Sequence, residues 1–423
     1  MATATRTYPI STGAPLRVDL AGCGVVGSAL VRALEHGGDA LRERHGLRVS
    51  VGRVLVREPE KRRDVALDPS VFTRDVSTFL QSNADLVVEA IGGLEPALTI
   101  ARATLERGAT LVTANKALLA THGSELAALA LRHGASLRYD AAVGGGVPVL
   151  RLIQNALGAG TPSRVRGIFN GTTNFVLSRL EDGWTLDAAL TEARSRGFAE
   201  ADASRDLDGR DAADKITLVA WAALGVAPGT LEADRRSLLP DPARFGRLAA
   251  RVGGALRQVA ECGVQDGHSY AIVEPLVVAR DGALARTRDE QNHVELHTGW
   301  SAPLSASGPG AGGLPTATSL LSDVLSTGSA ANRPRPTLPS TRDTRPSTWA
   351  LETNASPSDI HAEVRECGVV RTDADASCAW TIVSAATRDE IDDIIARLTA
   401  RGGDVIAIRV DDGVAVSGSE SHA

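Results

Sequence analysis

Apolar positions along the first third of the chain switch between two periods. Leu16, Val18 and Leu20 alternate with Arg17 and Asp19, which predicts a strand, and Val26, Leu30 and Leu34 then recur at helical spacing on one face. The switch repeats with strands over Val51 to Val56 and Leu86 to Ala90, a helix near Glu95 to Arg107, and a strand over Thr110 to Val112. Strands alternating with helices predict an α/β fold, a Rossmann-type doubly wound parallel sheet, in a dinucleotide-binding domain over 1–147. From Pro148 the pattern is mixed: a helix, a strand over Val165 to Ile168, then helices separated by acidic loops as far as Leu224. This predicts a second, α+β domain over 148–304 for substrate binding and dimerisation. Residues 327–347 read TGSAANRPRPTLPSTRDTRPS, too rich in Pro, Ser and Arg to bury a core, and predict a linker. The tail, 348–423, gives a strand (Trp349 to Thr353), a helix from Ser358, two strands (Gly368 to Thr372, Ala379 to Ser384), a helix (Arg388 to Arg401) and a strand (Val405 to Val410). That order is ferredoxin-like, and the linker before it predicts a unit that folds separately and can be removed.

Composition narrows the partners. Aromatic residues make up only 3% of the chain, so its cores must be filled by Leu, Val, Ile and Ala. A net charge of -6, with no basic stripe interleaved with aromatics, argues against nucleic acid. Cys23, Cys262, Cys367 and Cys378 are scattered without a CxxC pair, which suits a reducing cytoplasm better than a disulfide framework or a zinc site. No apolar run approaches the roughly 20 residues of a membrane span, and the first residues lack the apolar stretch of a signal peptide. A cytoplasmic protein with no membrane partner is expected.

Gly22-Cys23-Gly24-Val25-Val26-Gly27 has GxGxxG spacing between a strand and a helix, where glycine lets the backbone approach a pyrophosphate at the helix N-terminus. Gly22, Gly24, Val25, Val26 and Gly27 are therefore candidate cofactor contacts, with Cys23 a small packing residue. At the end of the second strand, Arg57 and Lys61 can clasp the 2′-phosphate of NADP, while Glu58 can instead take the ribose hydroxyls of NAD. NADP is favoured and NAD is the alternative.

Five segments then occur in a recurring order: Val87-Val88-Glu89-Ala90-Ile91-Gly92-Gly93, Thr113-Ala114-Asn115-Lys116, Asn170-Gly171-Thr172-Thr173-Asn174, Gly197-Phe198-Ala199-Glu200-Ala201-Asp202, and Gly308-Pro309-Gly310-Ala311-Gly312-Gly313-Leu314-Pro315-Thr316-Ala317. In this the chain, from Leu16 to Leu325, resembles the homoserine dehydrogenase family. The resemblance implies NAD(P)-dependent interconversion of L-aspartate 4-semialdehyde and L-homoserine, on the route to threonine, methionine and isoleucine, by a homodimer acting on a small amino-acid substrate. It also implies that 305–326 returns to the nucleotide domain and brings Gly310 to the cofactor.

Asp211 and Lys215 are four apart at the start of a predicted helix and project from one face, behind a stretch carrying Glu200, Asp202, Asp206 and Asp208. Carboxylates suit a substrate ammonium, and a lysine beside them suits an aldehyde oxygen. By resemblance, Glu200 and Asp206 hold the substrate amino group, and Asp211 with Lys215 stands at the reacting carbon. Lys116 follows a strand at the carboxyl edge of the parallel sheet, where such sheets bind ligands. Two lysines at one carbonyl would depress each other's pKa, which suits a proton donor and acceptor, and sequence leaves open which of them acts. Gly171 and Thr173 would place an amide and a hydroxyl near substrate, or simply cap a helix.

Asp140, Val143, Gly145 and Val147 resemble a segment with which the family holds a monovalent cation, although the acidic residue there is one methylene longer. His293 and His297 fall on one face of a predicted strand with no third ligand nearby. The tail resembles an ACT-type module, which would bring threonine feedback or a wider dimer interface, but its first loop lacks the Arg-Pro-Gly kind of turn. Two other functions compete. One is a specialised-metabolism reductase acting on another amino-acid-like aldehyde, against which Glu200, Asp206, Asp211 and Lys215 argue; the other is a non-catalytic NADP sensor, against which both lysines argue.

Overall fold

The computed structural model describes residues 15–157, 162–299, 302–326, 338–374 and 378–416. The polar leader and the first part of the expected linker, 327–337, lie outside the described residues. Six parallel strands form the first sheet: β1 (Leu16–Ala21), β2 (Val49–Leu55), β3 (Phe72–Thr73), β4 (Leu86–Glu89), β5 (Thr110–Thr113) and β6 (Ser136–Arg138). Their order, β3-β2-β1-β4-β5-β6, reverses direction between β1 and β4, so the chain leaves both strands at a crevice above their carboxyl ends. The central strands β4 and β5 are buried on both faces, which is why they read as apolar runs.

The second sheet contains β7 (Arg164–Ile168), β8 (Asp234–Arg235), β9 (Ala255–Gln265), β10 (His268–Val278), β11 (Gln291–His297), β12 (Leu304–Pro309), β13 (Ser347–Thr353), β14 (Gly368–Ala374), β15 (Ala379–Ala386) and β16 (Val405–Val410). Its path is β12-β11-β7-β9-β10-β16-β13-β15-β14, with β8 beside β10. The helix Arg210–Leu224 packs its apolar face, including Ile216, Val219 and Ala220, into the core shared with β9 and β10. The helix Gly313–Leu325 crosses back, and Ala317, Leu320 and Val324 join Leu20, Leu30 and Leu34 in the nucleotide-domain core. The β9–β10 hairpin was not anticipated, although its turn carries a sequence signal: Asp266 and Gly267 both have positive φ, +50° and +79°, as the Asp-Gly type I′ turn requires.

The tail has the ferredoxin-like order β16-β13-β15-β14. It does not, however, stand apart. β16 pairs in parallel with β10 through Leu276 with Arg409 and Val277 with Val410. Leu177, Leu248, Leu256 and Val277 share one core with Ala350, Trp380, Ile382, Ile408 and Val410. Fully buried Glu274 meets Arg409 Nε at 2.7 Å and Arg388 Nη1 at 3.3 Å. Within the expected linker, Arg345 Nη2 meets buried Glu261 at 2.5 Å and the Ser269 amide donates to the Pro339 carbonyl at 2.7 Å. The expected separately folding, removable tail is therefore corrected. Composition measures what a segment can bury alone and says nothing of an edge strand that docks on a neighbour.

Removing one arginine partner of Glu274 leaves its buried carboxylate with a single counterion. Arg409→Ala is expected to lower unfolding free energy by about 3–5 kcal/mol, measured by denaturant unfolding. Truncation after Ser326, which also bares the edge of β10, should give aggregating protein. A monodisperse truncated chain with an unchanged thermal midpoint would overturn this account of the interface.

Candidate active site

The glycine turn sits at the crevice between β1 and β4. Gly22 has φ +100°, and a Cβ there would lie 2.5 Å from the Ala90 carbonyl oxygen. A Cβ on Gly27 would lie 2.0 Å from the carbonyl oxygen of Gly22, so this glycine lets the helix Val25–His45 pack onto the turn. Gly24, by contrast, faces open space at the head of that helix, and no side chain caps the helix there. Its first amides are thus free to meet an anion. Gly22, Gly24, Val25, Arg57, Glu58 and Lys61 line a cleft of about 910 Å³. Arg57 and Lys61 are exposed, and among the described residues neither has an ion-pair partner. Cys23 is buried beneath the turn.

A second cavity of about 340 Å³ continues from this cleft and is lined by Val26, Asn115, Lys116, Lys215 and Gly310 among others. Lys116 opens the helix Lys116–His133, whose N-cap Asn115 accepts from the Leu118 amide at 3.1 Å. Glu89, at the end of β4 and fully buried, accepts from the Ile91 amide at 2.9 Å and from Thr113 Oγ1 at 2.6 Å. It ties together the two loops on which the cavity is built.

The catalytic candidates converge on one carboxylate. Lys116 Nζ is hydrogen-bonded to Asp211 Oδ1 and lies 3.7 Å from Asp214. Lys215 Nζ lies 2.9 Å from Asp211 Oδ2 and donates to the Phe169 carbonyl at 2.8 Å. Asn170 Nδ2 donates to Asp206 at 2.7 Å and to Asp211 at 2.8 Å, while its Oδ1 accepts from the Thr173 amide and caps the helix Gly171–Glu181. Burial pushes the Asp211 carboxyl up, but Lys215 and Lys116 outweigh it and hold the group well below the usual carboxylate range. Asp206 moves the other way. Burial raises its pKa, the neighbouring Asp211 adds to the rise, and the Asn170 hydrogen bond only partly opposes it. Asp211 lies between the two lysines as a shared counterion.

Other expected site residues fare differently. Glu200 lies on an exposed loop, and its one contact among the described residues is a backbone one, its carbonyl accepting from Arg194 at 3.4 Å. Gly171 is glycine for packing, since a Cβ would lie 2.7 Å from the Glu290 carbonyl oxygen, and Gly310 likewise abuts the Asn292 amide. The Thr173 hydroxyl is buried with no partner among the described residues. Asn170 and Glu89 were not anticipated as site residues. The cap position of Asn170 is legible in sequence, but its bridge to Asp206 and Asp211 appears only when distant segments meet.

The segment expected to hold a cation is engaged in hydrogen bonds within the protein. Asp140 accepts from the Leu150 amide at 2.9 Å and the Arg151 amide at 3.4 Å, capping the helix Val149–Ala156. Burial pushes its pKa up to about 6, which further weakens a carboxylate as a cation ligand. The Gly145 carbonyl is taken by Ser319 Oγ at 2.5 Å, and Val143 and Val147 are buried in the same turn. On β11, His293 and His297 flank Glu295 at 3.4 and 3.8 Å, and Arg166 holds that carboxylate at 2.7 Å. Among the described residues no group of three His, Cys, Asp or Glu side chains is arranged to hold a metal.

Comparison with known proteins covers both halves of this site. Residues 22–140 match the homoserine dehydrogenase NAD-binding domain family, and residues 148–325 match the homoserine dehydrogenase family. The homoserine dehydrogenase of Bacillus subtilis (strain 168) is 32% identical over 313 residues, covering 73% of this chain and 72% of the relative. That of Synechocystis is 35% identical over 321 residues, covering 73% and 72%. In three dimensions a homoserine dehydrogenase from Thiobacillus denitrificans superposes with a TM-score of 0.86 at 26% identity, covering 94% of this chain and 99% of that one. The S. aureus enzyme superposes with a TM-score of 0.75 at 26% identity, covering 94% and 99%.

The shared counterion makes a stability prediction. Because the folded-state pKa of Asp211 is depressed, its contribution is present above the unfolded-state value near 4 and lost as pH falls through the folded value. Asp211→Asn is expected to lose about 3–5 kcal/mol at neutral pH, and the difference from wild type should shrink on acidification. A pH-independent difference in urea midpoint would remove the carboxylate charge from the explanation.

Proposed function

Since this chain belongs to the homoserine dehydrogenase family, we propose that the carboxylate shared by Lys116 and Lys215 organises hydride exchange between NADP and L-homoserine or L-aspartate 4-semialdehyde. The activity is that of a homoserine dehydrogenase, an NAD(P)-dependent oxidoreductase acting on a small molecule. The observation that carries the proposed roles is the convergence of both ammonium groups on Asp211 at the wall of the cavity. A bound nicotinamide supplies or accepts the hydride.

Lys215 is held by two fixed acceptors, Asp211 and the Phe169 carbonyl, which leaves one N–H for the substrate oxygen. In reduction it gives its proton to the aldehyde oxygen as the C–H bond forms; in oxidation it takes the hydroxyl proton back. Lys116 adds a second positive charge beside the oxygen that becomes negative in the transition state. Asp206, oriented by Asn170, receives the substrate ammonium. Glu200 joins it only if its loop folds inward on substrate.

Arg57 and Lys61, exposed and without acidic partners among the described residues, suit the 2′-phosphate and support NADP over NAD. The proposal also includes a homodimer, for which the outer strand β14, with exposed Val369, offers an edge. A cytoplasmic home agrees with four free cysteines. No helix among the described residues is long and apolar enough to cross a membrane.

Nicotinamide absorbance with homoserine and either cofactor tests activity and cofactor choice together. Lys215→Ala should reduce turnover on the order of a hundredfold or more while leaving NADP binding nearly unchanged. Wild-type-like turnover would remove Lys215 from the chemistry. Arg57→Ala should weaken NADP by roughly 1.5–3 kcal/mol and NAD far less, and equal losses for both would move the phosphate site elsewhere.

A further inference from the structure

Beside the cofactor cleft lies an arginine to which no role has yet been given. Arg63 sits six residues after Arg57, half-buried, and its guanidinium donates to three backbone carbonyls at once. Nε reaches the Cys23 carbonyl at 3.3 Å, Nη1 the Lys61 carbonyl at 2.6 Å and Nη2 the Glu58 carbonyl at 2.9 Å. Its ring-like plane lies over Phe72, 5.2 Å from the centroid. One of these carbonyls belongs to the glycine turn and the other two to the loop that carries Glu58 and Lys61. Further along, the same crossover is tied to the helix Val25–His45 by Arg32 donating to the Asp64 carbonyl at 3.2 Å and the Ala66 amide donating to Glu35 at 2.8 Å. Among the described residues, the hydrogen bonds of residues 58–61 are those to Arg63 and one turn bond, from the Lys61 amide to the Glu58 carbonyl.

From this geometry we propose that Arg63 is a positioning residue for cofactor choice, a clasp that closes the loop bearing Arg57 and Lys61 onto the glycine turn before cofactor arrives. The inference rests on the 2′-phosphate role given above to Arg57. Three carbonyl oxygens at the rim of an anion site would repel a phosphate. The guanidinium answers all three, and its planar fork reaches two chain segments in a way that a lysine ammonium does not. A loop held in its binding conformation spares the ordering cost on association. That saving falls mostly on NADP, because only NADP has a group for Arg57 and Lys61 to grip.

The test uses the full-length enzyme and the charge-conserving variant Arg63→Lys. It should raise KM for NADP on the order of tenfold, KM for NAD by no more than about twofold, and leave kcat at saturating cofactor within about twofold. In the double variant with Arg57→Ala, the extra NADP-specific loss from Arg63→Lys should shrink, since the clasp then positions only Lys61. A merely structural arginine would lower the thermal midpoint and affect both cofactors alike. The proposal is overturned if Arg63→Lys keeps the wild-type KM for NADP, raises both KM values equally, or adds its full effect to an Arg57→Ala that is itself NADP-selective. The two proposals fail separately. If Arg57→Ala is NADP-selective and Arg63→Lys is silent, the clasp falls and the phosphate site stands. If Arg57→Ala hits both cofactors equally while Arg63→Lys still costs NADP selectively, the loop clasp stands and the phosphate belongs to Lys61.

Discussion

A carboxylate buried between two ammonium groups is the constraint around which this molecule is arranged. Asp211 stands on the substrate-domain helix with Lys215, whereas Lys116 opens a helix of the nucleotide domain, 95 residues away in sequence. One charge thus fixes the distance between the two halves of the site. Two ammonium groups at this spacing would repel strongly without it, and a carboxylate so deep would protonate without them. The balance is visible in Asp211, whose pKa is driven down although burial works in the opposite direction. Asn170 extends the arrangement by joining Asp206 to the same carboxylate, so Asp206 and the two lysines share one hydrogen-bonded frame.

Holding that frame requires both domains to be rigid up to the point of contact, and the two sheets supply this differently. The parallel sheet does it by close backbone approach: Gly22 against Ala90 and Gly27 against Gly22 leave no room for a side chain. The second sheet does it by continuity. β10 backs the helix that carries Asp211, and its Val273 side chain would lie 3.0 Å from a Cβ on Gly209, immediately before that helix. β16 of the tail then pairs with β10. The tail is thereby continuous with the sheet that backs the helix carrying Asp211.

Local chemistry was legible in the sequence, and long-range docking was not. The strand, glycine turn and helix around Gly22 follow from periodicity and spacing, and the i, i+4 pair of Asp211 and Lys215 follows from helical geometry. The tail strands were likewise readable, with Val405–Val410 matching the observed β16. The Asp266-Gly267 signal for the β9–β10 turn was present and overlooked, because an apolar strand covered on both faces loses the alternation that marks strands. Glu89, Asn170 and Arg63 belong to another category. Each works by touching groups brought near only by folding, such as the Thr113 hydroxyl, Asp206 and the Cys23 carbonyl, and nothing in the neighbouring residues announces it. Charge conceals contacts for the same reason: Arg345 and Arg409 pair with buried Glu261 and Glu274, which lie far from them in sequence.

The distribution of basic residues sharpens what the site demands. Apart from three lysines, every one of the 45 basic residues is arginine, and the three are Lys61, Lys116 and Lys215. Coding bias accounts for arginine elsewhere, where a fixed charge with a planar fork suits ion pairs such as those of Glu261 and Glu274. It does not account for lysine surviving only in the cofactor cleft and beside Asp211. A guanidinium stays protonated throughout the accessible pH range, so it can steady a negative oxygen but cannot take up a proton from a hydroxyl and return it. An ammonium is also compact enough for two of them to meet the two oxygens of one carboxylate, as Lys116 and Lys215 do. On the roles proposed above, the Lys215 beside Asp211 serves a step that needs a removable proton, and Lys116 adds a compact charge in the same small volume.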